Sequence, residues 1–264
     1  MDYWQKQNRE PLFKNLDFER PEQKTQAGTL TIIGGNSHNF RAVAGASATA
    51  EQVGVHQLNI LLPDSLKKTI PTTMPNITFA PSEPSGGFGK SAEPVLSAAI
   101  NHADAALIIG DLGRNAETAT TIANVVKNTT QPLLLTRDTI DLITSDAQAF
   151  IERPSLTLFV TLPQLQKLFR TIYYPRVITL SQPTNQLIET LHKFTITYNN
   201  ITIATTHSDQ YIVAQGGQVV TTSLSDTNYS SMSIWQGNLA TTISIFQIRQ
   251  PDRSLASATT AILV

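Results

Sequence analysis

Short apolar runs alternate with amphipathic stretches along most of the chain. Thr29 to Ile33, Leu58 to Leu62 and Ala105 to Ile109 are nearly continuous apolar segments, the pattern of strands covered on both faces. Pro132 to Leu135, Leu156 to Val160, Ile77 to Ala80 and Val177 to Leu180 are further strand candidates. Between them, the residue pattern predicts helices over Ala42 to Val53, Ala92 to Asn101, Glu117 to Lys127 and Pro163 to Phe169. In the third of these, Ile122, Val125 and Val126 form the apolar face. A short helix through Ile140, Leu142 and Ile143 and another from Asn185 into the 190s continue the alternation. Strand, turn, helix and strand in repetition predict an α/β fold with a mostly parallel central sheet.

The texture changes near residue 199. Asn200 to Thr206, Gln210 to Ala214 and Gln218 to Thr222 read as a β-meander with a Gly216-Gly217 hairpin turn. Two helices close the chain, roughly Trp235 to Gln247 and Ser254 to Leu263. At the other end, Trp4, Leu12, Phe13, Leu16 and Phe18 sit among charges; this segment is expected to form a short helix and an arm packed on the body, broken at Pro21. No fixed-period repeat or linker divides the rest, so the expected organisation is an N-terminal arm over 1–28 and one domain over 29–264.

Composition narrows the partners. Of 264 residues, 41% are hydrophobic, enough for a large core, and only 15% are charged, against about 25% in a typical soluble protein. A net charge of −1 and a pI near 6.5 give no basic face for nucleic acid or an anionic membrane. Cysteine is absent, which excludes disulfides, zinc thiolates and cysteine nucleophiles. No secretory leader pattern and no apolar run of membrane-spanning length is present, and the chain is read as cytoplasmic. The five histidines (His38, His56, His102, His192, His207) have no metal-ligand spacing, and no metal site is expected.

The order of several short motifs resembles one family. Arg20-Pro21, Lys24 and Gly28 lead into Thr31-Ile32-Ile33-Gly34-Gly35-Asn36-Ser37, and Gly45-Ala46 follows in the next helix. Ala103-Asp104 precedes Ile108 to Arg114; Leu135-Thr136-Arg137-Asp138-Thr139-Ile140, Thr161-Leu162-Pro163 with Gln164 to Leu168, and Trp235-Gln236-Gly237-Asn238-Leu239-Ala240 come in turn. Together they are similar to the ADP/ATP-dependent NAD(P)H-hydrate dehydratases of the ribokinase-like fold. The resemblance implies a three-layer α/β/α domain and a small-molecule cleft taking ATP or ADP, with Mg²⁺. It also implies that a Gly-x-Gly-Asp segment opens a late helix, its amides forming an anion hole and its Asp serving as base.

The chain departs from that pattern at the chemistry. The family's Asp falls on Gly237 and its first Gly on Ile234; Asp226 is the one carboxylate nearby, in another register. The first Asp of the Asp-Ala-Asp segment is Thr136, the Glu after Thr-Pro is Gln164, and the Lys-Gly near the meander is replaced by Thr205-Thr206-His207. Losing a general base costs roughly 10²–10⁴-fold in rate. The expectation is therefore a diverged member that binds a nucleotide or related metabolite with weakened or lost catalysis, and no catalytic residue is assigned. Two alternatives stay open: an active dehydratase or small-molecule kinase, and a non-catalytic structural or interaction protein, with room for a homo-oligomer.

The expected ligand contacts are Gly34, Gly35, Asn36 and Ser37 after the first buried strand, Gly110, Gly113 and Arg114 after a later one, Asp138, and Gln236, Gly237 and Asn238 at the late helix. Each has a plainer reading. Gly34-Gly35 can be a tight turn without ligand, Asn115 or Asp111 a helix cap, and Asp138 a cap for the short helix after it. Trp235 either stacks on an adenine or plugs the nucleotide pocket, and the plug is preferred. Gly86-Gly87-Phe88-Gly89-Lys90-Ser91 ends like a phosphate-binding loop, but Pro84 occupies the place of its first glycine, so a mobile glycine loop is expected.

Overall fold

The computed structural model describes residues 2–14, 21, 26–70 and 76–264; Leu16, Phe18, Arg20 and Lys24 lie outside them. In chain order the elements are β1 (Trp4–Gln7), β2 (Thr29–Gly34), α1 (Arg41–Val53), β3 (Gln57–Pro63), β4 (Ile77–Ala80), α2 (Glu93–Asn101), β5 (Ala105–Gly110), α3 (Ala116–Asn128), β6 (Leu133–Thr136), α4 (Asp138–Ile143) and α5 (Ala147–Phe150). Then follow β7 (Leu156–Phe159), α6 (Leu162–Thr171), α7 (Thr184–Thr197), β8 (Ile201–His207), β9 (Gln210–Gln215), β10 (Gln218–Ser223), α8 (Asn238–Arg249) and α9 (Ser254–Ala261). The strands form one sheet in the order β1-β10-β9-β8-β7-β6-β5-β2-β3-β4. β9 is antiparallel to both neighbours and every other pairing is parallel, so β9 alone runs against the rest.

Strand alternation divides the core in two. In β5, Ala106 and Ile108 face α2 to α7, where Leu96, Ile122, Leu165, Leu187 and Phe194 are buried. Ala105, Leu107 and Ile109 face α1, α8 and α9, against Ala46, Leu239, Ile243 and Ala258. The central strands are buried on both faces, which is why they read as continuous apolar runs. Each fully buried Leu or Ile contributes roughly 1.5–3 kcal/mol relative to an exposed one.

The meander forms where it was expected. Gly216-Gly217 turns β9 into β10, and Ser208-Asp209 makes the corresponding turn before β9 with φ of 47° and 57°. Two expectations change. Val177 to Leu180 is not a strand: the place beside β7 is taken by β8, and Val177 and Leu180 stay exposed in the irregular connection from α6 to α7. The start of the chain is not helical over Trp4 to Gln7 but adds β1 to the edge of β10, where Trp4 Nε1 donates to Thr221 and Gln7 Nε2 to Thr222 Oγ1 and the Thr259 carbonyl. No helix among the described residues is long and apolar enough to cross a membrane.

Candidate functional site

From β2 the chain moves outward through β3 and β4, then returns to β5 and proceeds outward the other way through β6, β7 and β8. The strand order therefore reverses between β2 and β5, and the crevice beyond their C-terminal ends is where open parallel sheets hold ligands. Gly34, Gly35, Asn36 and Ser37 leave β2 there, and Gly110 to Arg114 leave β5 beside them; Gly35 N donates to Gly110 O at 3.0 Å. Gly110 has φ 101°, and a Cβ on it would collide with the Asp138 carboxylate.

Asp111 organises this crevice. It is buried, with φ 58°. Its Oδ2 accepts from Ala42 N (2.9 Å) in the first turn of α1, and its Oδ1 accepts from Arg137 Nη2 (3.0 Å). Its carbonyl accepts from Asn36 Nδ2 (2.6 Å). The anion position at the start of α1 is thus filled by the protein's own carboxylate. Asn36 and Ser37 serve loop-to-loop bonds as well: Asn36 Oδ1 accepts from His38 N, and Ser37 donates to the Gly86 and Ser85 carbonyls through its amide and hydroxyl.

Asp138 is the first residue of α4, but its carboxylate does not cap that helix. Its two oxygens accept from Asp111 N (2.8 Å) and Leu112 N (3.0 Å), holding the loop after β5. Asn115 is the cap for α3, accepting from Glu117 N at 2.7 Å.

Arg137 was not among the expected contacts. Its backbone sits at φ 57°, ψ −140°, a region that strains any side chain bearing a Cβ. Its guanidinium spans from Asp111 to the Trp235 carbonyl (Nη1, 3.2 Å), and its buried Nε has no partner among the described residues. The carbonyl of this strained residue accepts from Gln164 Nε2 at 2.9 Å, while Gln164 Oε1 accepts from Thr161 N in a capping box that starts α6. A glutamate at 164 has no hydrogen to donate there at neutral pH. Both members are visible in the sequence, Asp111 just after one buried strand and Arg137 just after the next, but nothing in the sequence pairs them.

Trp235 lies flat on Phe159, with ring centroids 4.6 Å apart at 22°. Its other surroundings, Thr161, Pro163, Thr206, His207 and Asp209, frame a cavity of about 380 Å³. Gln236 and Asn238 open instead on a cleft of about 400 Å³ beside Thr49, Gln52 and Tyr229. Gly113, Arg114 and Asp138 line a third cleft of about 600 Å³ with Asp141 and Lys167. The expected contacts therefore ring the C-terminal edge of the sheet but do not converge on one cavity.

At the start of α8, Gly237 takes φ 108°, no side chain caps the helix, and its first turn holds no acid. These leading amides suit an anionic group; the Arg137 guanidinium holds the Trp235 carbonyl two residues before Gly237, with its charge paired to Asp111. The carboxylates suit Mg²⁺ poorly, because both oxygens of Asp111 and of Asp138 are already engaged. The glycine loop before α2 is pinned: Glu83 accepts from the amides of Ser85 (2.6 Å) and Gly87 (2.8 Å) and from Asn115 Nδ2, and Phe88 is fully buried. The loop expected to be a mobile glycine segment is held by these side-chain bonds. Burial pushes the Glu83 carboxyl up, but the hydrogen bonds from Ser85 and Gly87 outweigh it and hold it below its ordinary value.

No protein-family model and no curated protein matches the chain. Solved structures do. A ribokinase-like superfamily protein from Enterococcus faecalis superposes with a TM-score of 0.71 at 15% identity, over 99% of this chain and 86% of its own. A hypothetical protein from Streptococcus mutans gives 0.68 at 16%, over 96% and 88%. The ADP/ATP-dependent NAD(P)H-hydrate dehydratase from Bacillus subtilis, co-crystallised with ATP and Mg²⁺, gives 0.60 at 14%, over 94% and 85%. The fold is ribokinase-like.

Proposed function

We propose that the chain is a diverged ribokinase-like protein, related to the ADP/ATP-dependent NAD(P)H-hydrate dehydratases, that binds a nucleotide or related metabolite with weakened or lost catalysis. The binding domain is 29–264, with 1–28 an arm. One observation carries the reading: α8 begins with uncapped amides just after the Trp235 carbonyl that Arg137 holds, and its first turn holds no carboxylate. Such a helix start attracts phosphate but has no base beside it to take a proton. The substitution of Gly237 for the acid, with Asp111 and Asp138 committed to loop bonds, supports a rate loss of roughly 10²–10⁴-fold. Gly110, Gly113, Arg114, Gln236 and Asn238 are the proposed rim contacts. Asn36, Asp111 and Asp138 hold the rim in shape.

The test combines binding and turnover. Thermal-shift and calorimetric titrations with ATP, ADP, AMP and NADPH, each with and without Mg²⁺, are expected to find a ligand whose binding changes Trp235 emission and depends little on Mg²⁺. Hydrated NADPH supplied with ADP or ATP is expected to remain unconverted. Turnover by the unaltered protein would establish the active-dehydratase alternative. Absence of binding by every nucleotide would leave the structural or interaction role.

A further inference from the structure

A separate cleft lies at the opposite edge of the sheet. α6 starts beyond the C-terminal end of β7 and runs back for ten residues, about 15 Å at 1.5 Å per residue. Where it ends, Gln166, Phe169, Arg170, Tyr173, Tyr174 and Arg176 line a cavity of about 400 Å³, within the size range of small-molecule pockets.

Its walls differ from its rim. Tyr174 packs edge-on against Phe169 (4.8 Å) and Phe194 (5.1 Å), which stack on each other at 4.5 Å, so the aromatic floor is rigid. Tyr173 ends α6 in the left-handed position of a Schellman cap: Tyr174 N donates to Phe169 O, Tyr173 N to Arg170 O, and Tyr173 has φ 54°. Glycine is the ordinary occupant of that position. Here a tyrosine holds it, 92% exposed, with its ring in water rather than in the core. Fold stability does not account for that residue at that place.

The rim also carries charge. The Arg170 guanidinium makes no hydrogen bond or ion pair among the described residues. Arg176 stands 3.5 Å from Glu189, which is shared with Lys193. Gln166 Nε2 is engaged on the Ile178 carbonyl, which leaves its Oε1 to accept from an amine. Aromatic faces, a free guanidinium and an amide acceptor around a concave space make a combination that recognises a ring and an anion together.

We infer that this cleft is a second small-molecule site, for a flat aromatic anion of nucleoside-monophosphate size. The ring lies between Tyr173 and the half-buried Tyr174, which packs on the buried Phe169, and the phosphate meets Arg170. The site is independent of the edge at Gly237.

Calorimetric titration with AMP, adenosine and inorganic phosphate tests the inference. AMP is expected to saturate one site at the α6 end, adenosine to bind at least tenfold more weakly, and phosphate alone more weakly still. Tyr173→Gly and Arg170→Ala are each expected to weaken AMP by tenfold or more. Tyr173→Gly should also raise the thermal midpoint, because glycine suits the cap, so its loss of binding is not a loss of fold. AMP affinity indifferent to both substitutions overturns the inference and places AMP elsewhere. So does an absence of saturable AMP binding, including the case in which Tyr173→Gly converts a dimer to a monomer and marks the face as a contact between copies.

Discussion

The Arg137 guanidinium meets the buried Asp111 carboxylate at 3.0 Å, joining the loops that follow β5 and β6. The Asp111 side chain is only 6% exposed, so removing its partner leaves a carboxylate with little water. Arg137→Ala is expected to lower the unfolding free energy by about 3 kcal/mol, the range for breaking a mostly buried pair. Arg137→Gly loses the same pair but takes φ 57°, ψ −140° without a Cβ, and should be about 1–2 kcal/mol less damaging. Urea denaturation of the two variants checks this; equal midpoints would remove the case for backbone strain.

Gln164 depends on the same residue. Its amide nitrogen donates to the Arg137 carbonyl and to Asp141 Oδ2 (2.8 Å). Gln164→Glu turns that donor into an acceptor facing two acceptors, and is expected to cost about 2–3 kcal/mol at neutral pH. The introduced carboxyl is pushed above its unfolded value by Asp141 and the carbonyl. Its penalty is therefore full at high pH and fades as pH falls and the group protonates. Denaturant midpoints at pH 7 and pH 4 measure this, and a penalty of the same size at both contradicts it.

The strands β2, β3, β5, β6 and β7 were legible because burial on both faces leaves each as a largely apolar run. β1 was not, since Trp4-Gln5-Lys6-Gln7 is mostly polar and becomes a strand only because β10 offers a free edge. Val177 to Leu180 misled for the converse reason: a suitable run has no sheet position left to occupy. At the site, comparison with the resembled family drew attention to acids that are missing. The Asp111–Arg137 pair has members 26 residues apart, and only the fold brings them together. Gln164 looked like a lost acid, yet a donor is required at its position.

Glu83 gives the pinned glycine loop an acid limit. Its folded-state pKa lies below the ordinary 4.5, so the stability it contributes is present above that pH and is lost as pH falls through the lower folded value. Comparing the native protein with Glu83→Gln, the stability difference is expected to be largest near pH 6 and to shrink toward pH 3. A difference independent of pH would mean that the loop is held by the shape of the side chain and not by its charge.

Restoring the missing acid is the direct challenge to the proposed loss of catalysis, and the geometry argues that a single substitution fails. Gly237 has φ 108°, and a Cβ there would stand 2.6 Å from Ile109 Cδ1, a core atom of β5. Gly237→Asp must accommodate both the left-handed backbone and that contact, so about 2–4 kcal/mol of stability is expected to be lost. Gly237→Ala should lose a similar amount, since the Cβ is the cause. Pairing Gly237→Asp with Ile109→Ala removes the steric part but leaves the strained backbone and opens a cavity in the core. The double variant is therefore expected to recover less than half of the loss and to remain inactive on hydrated NADPH. Thermal midpoints of the three variants, with a turnover assay of the double variant, measure this. An active Gly237→Asp protein of native stability would show that the α8 start can be rebuilt locally, and that the chemistry is one residue away.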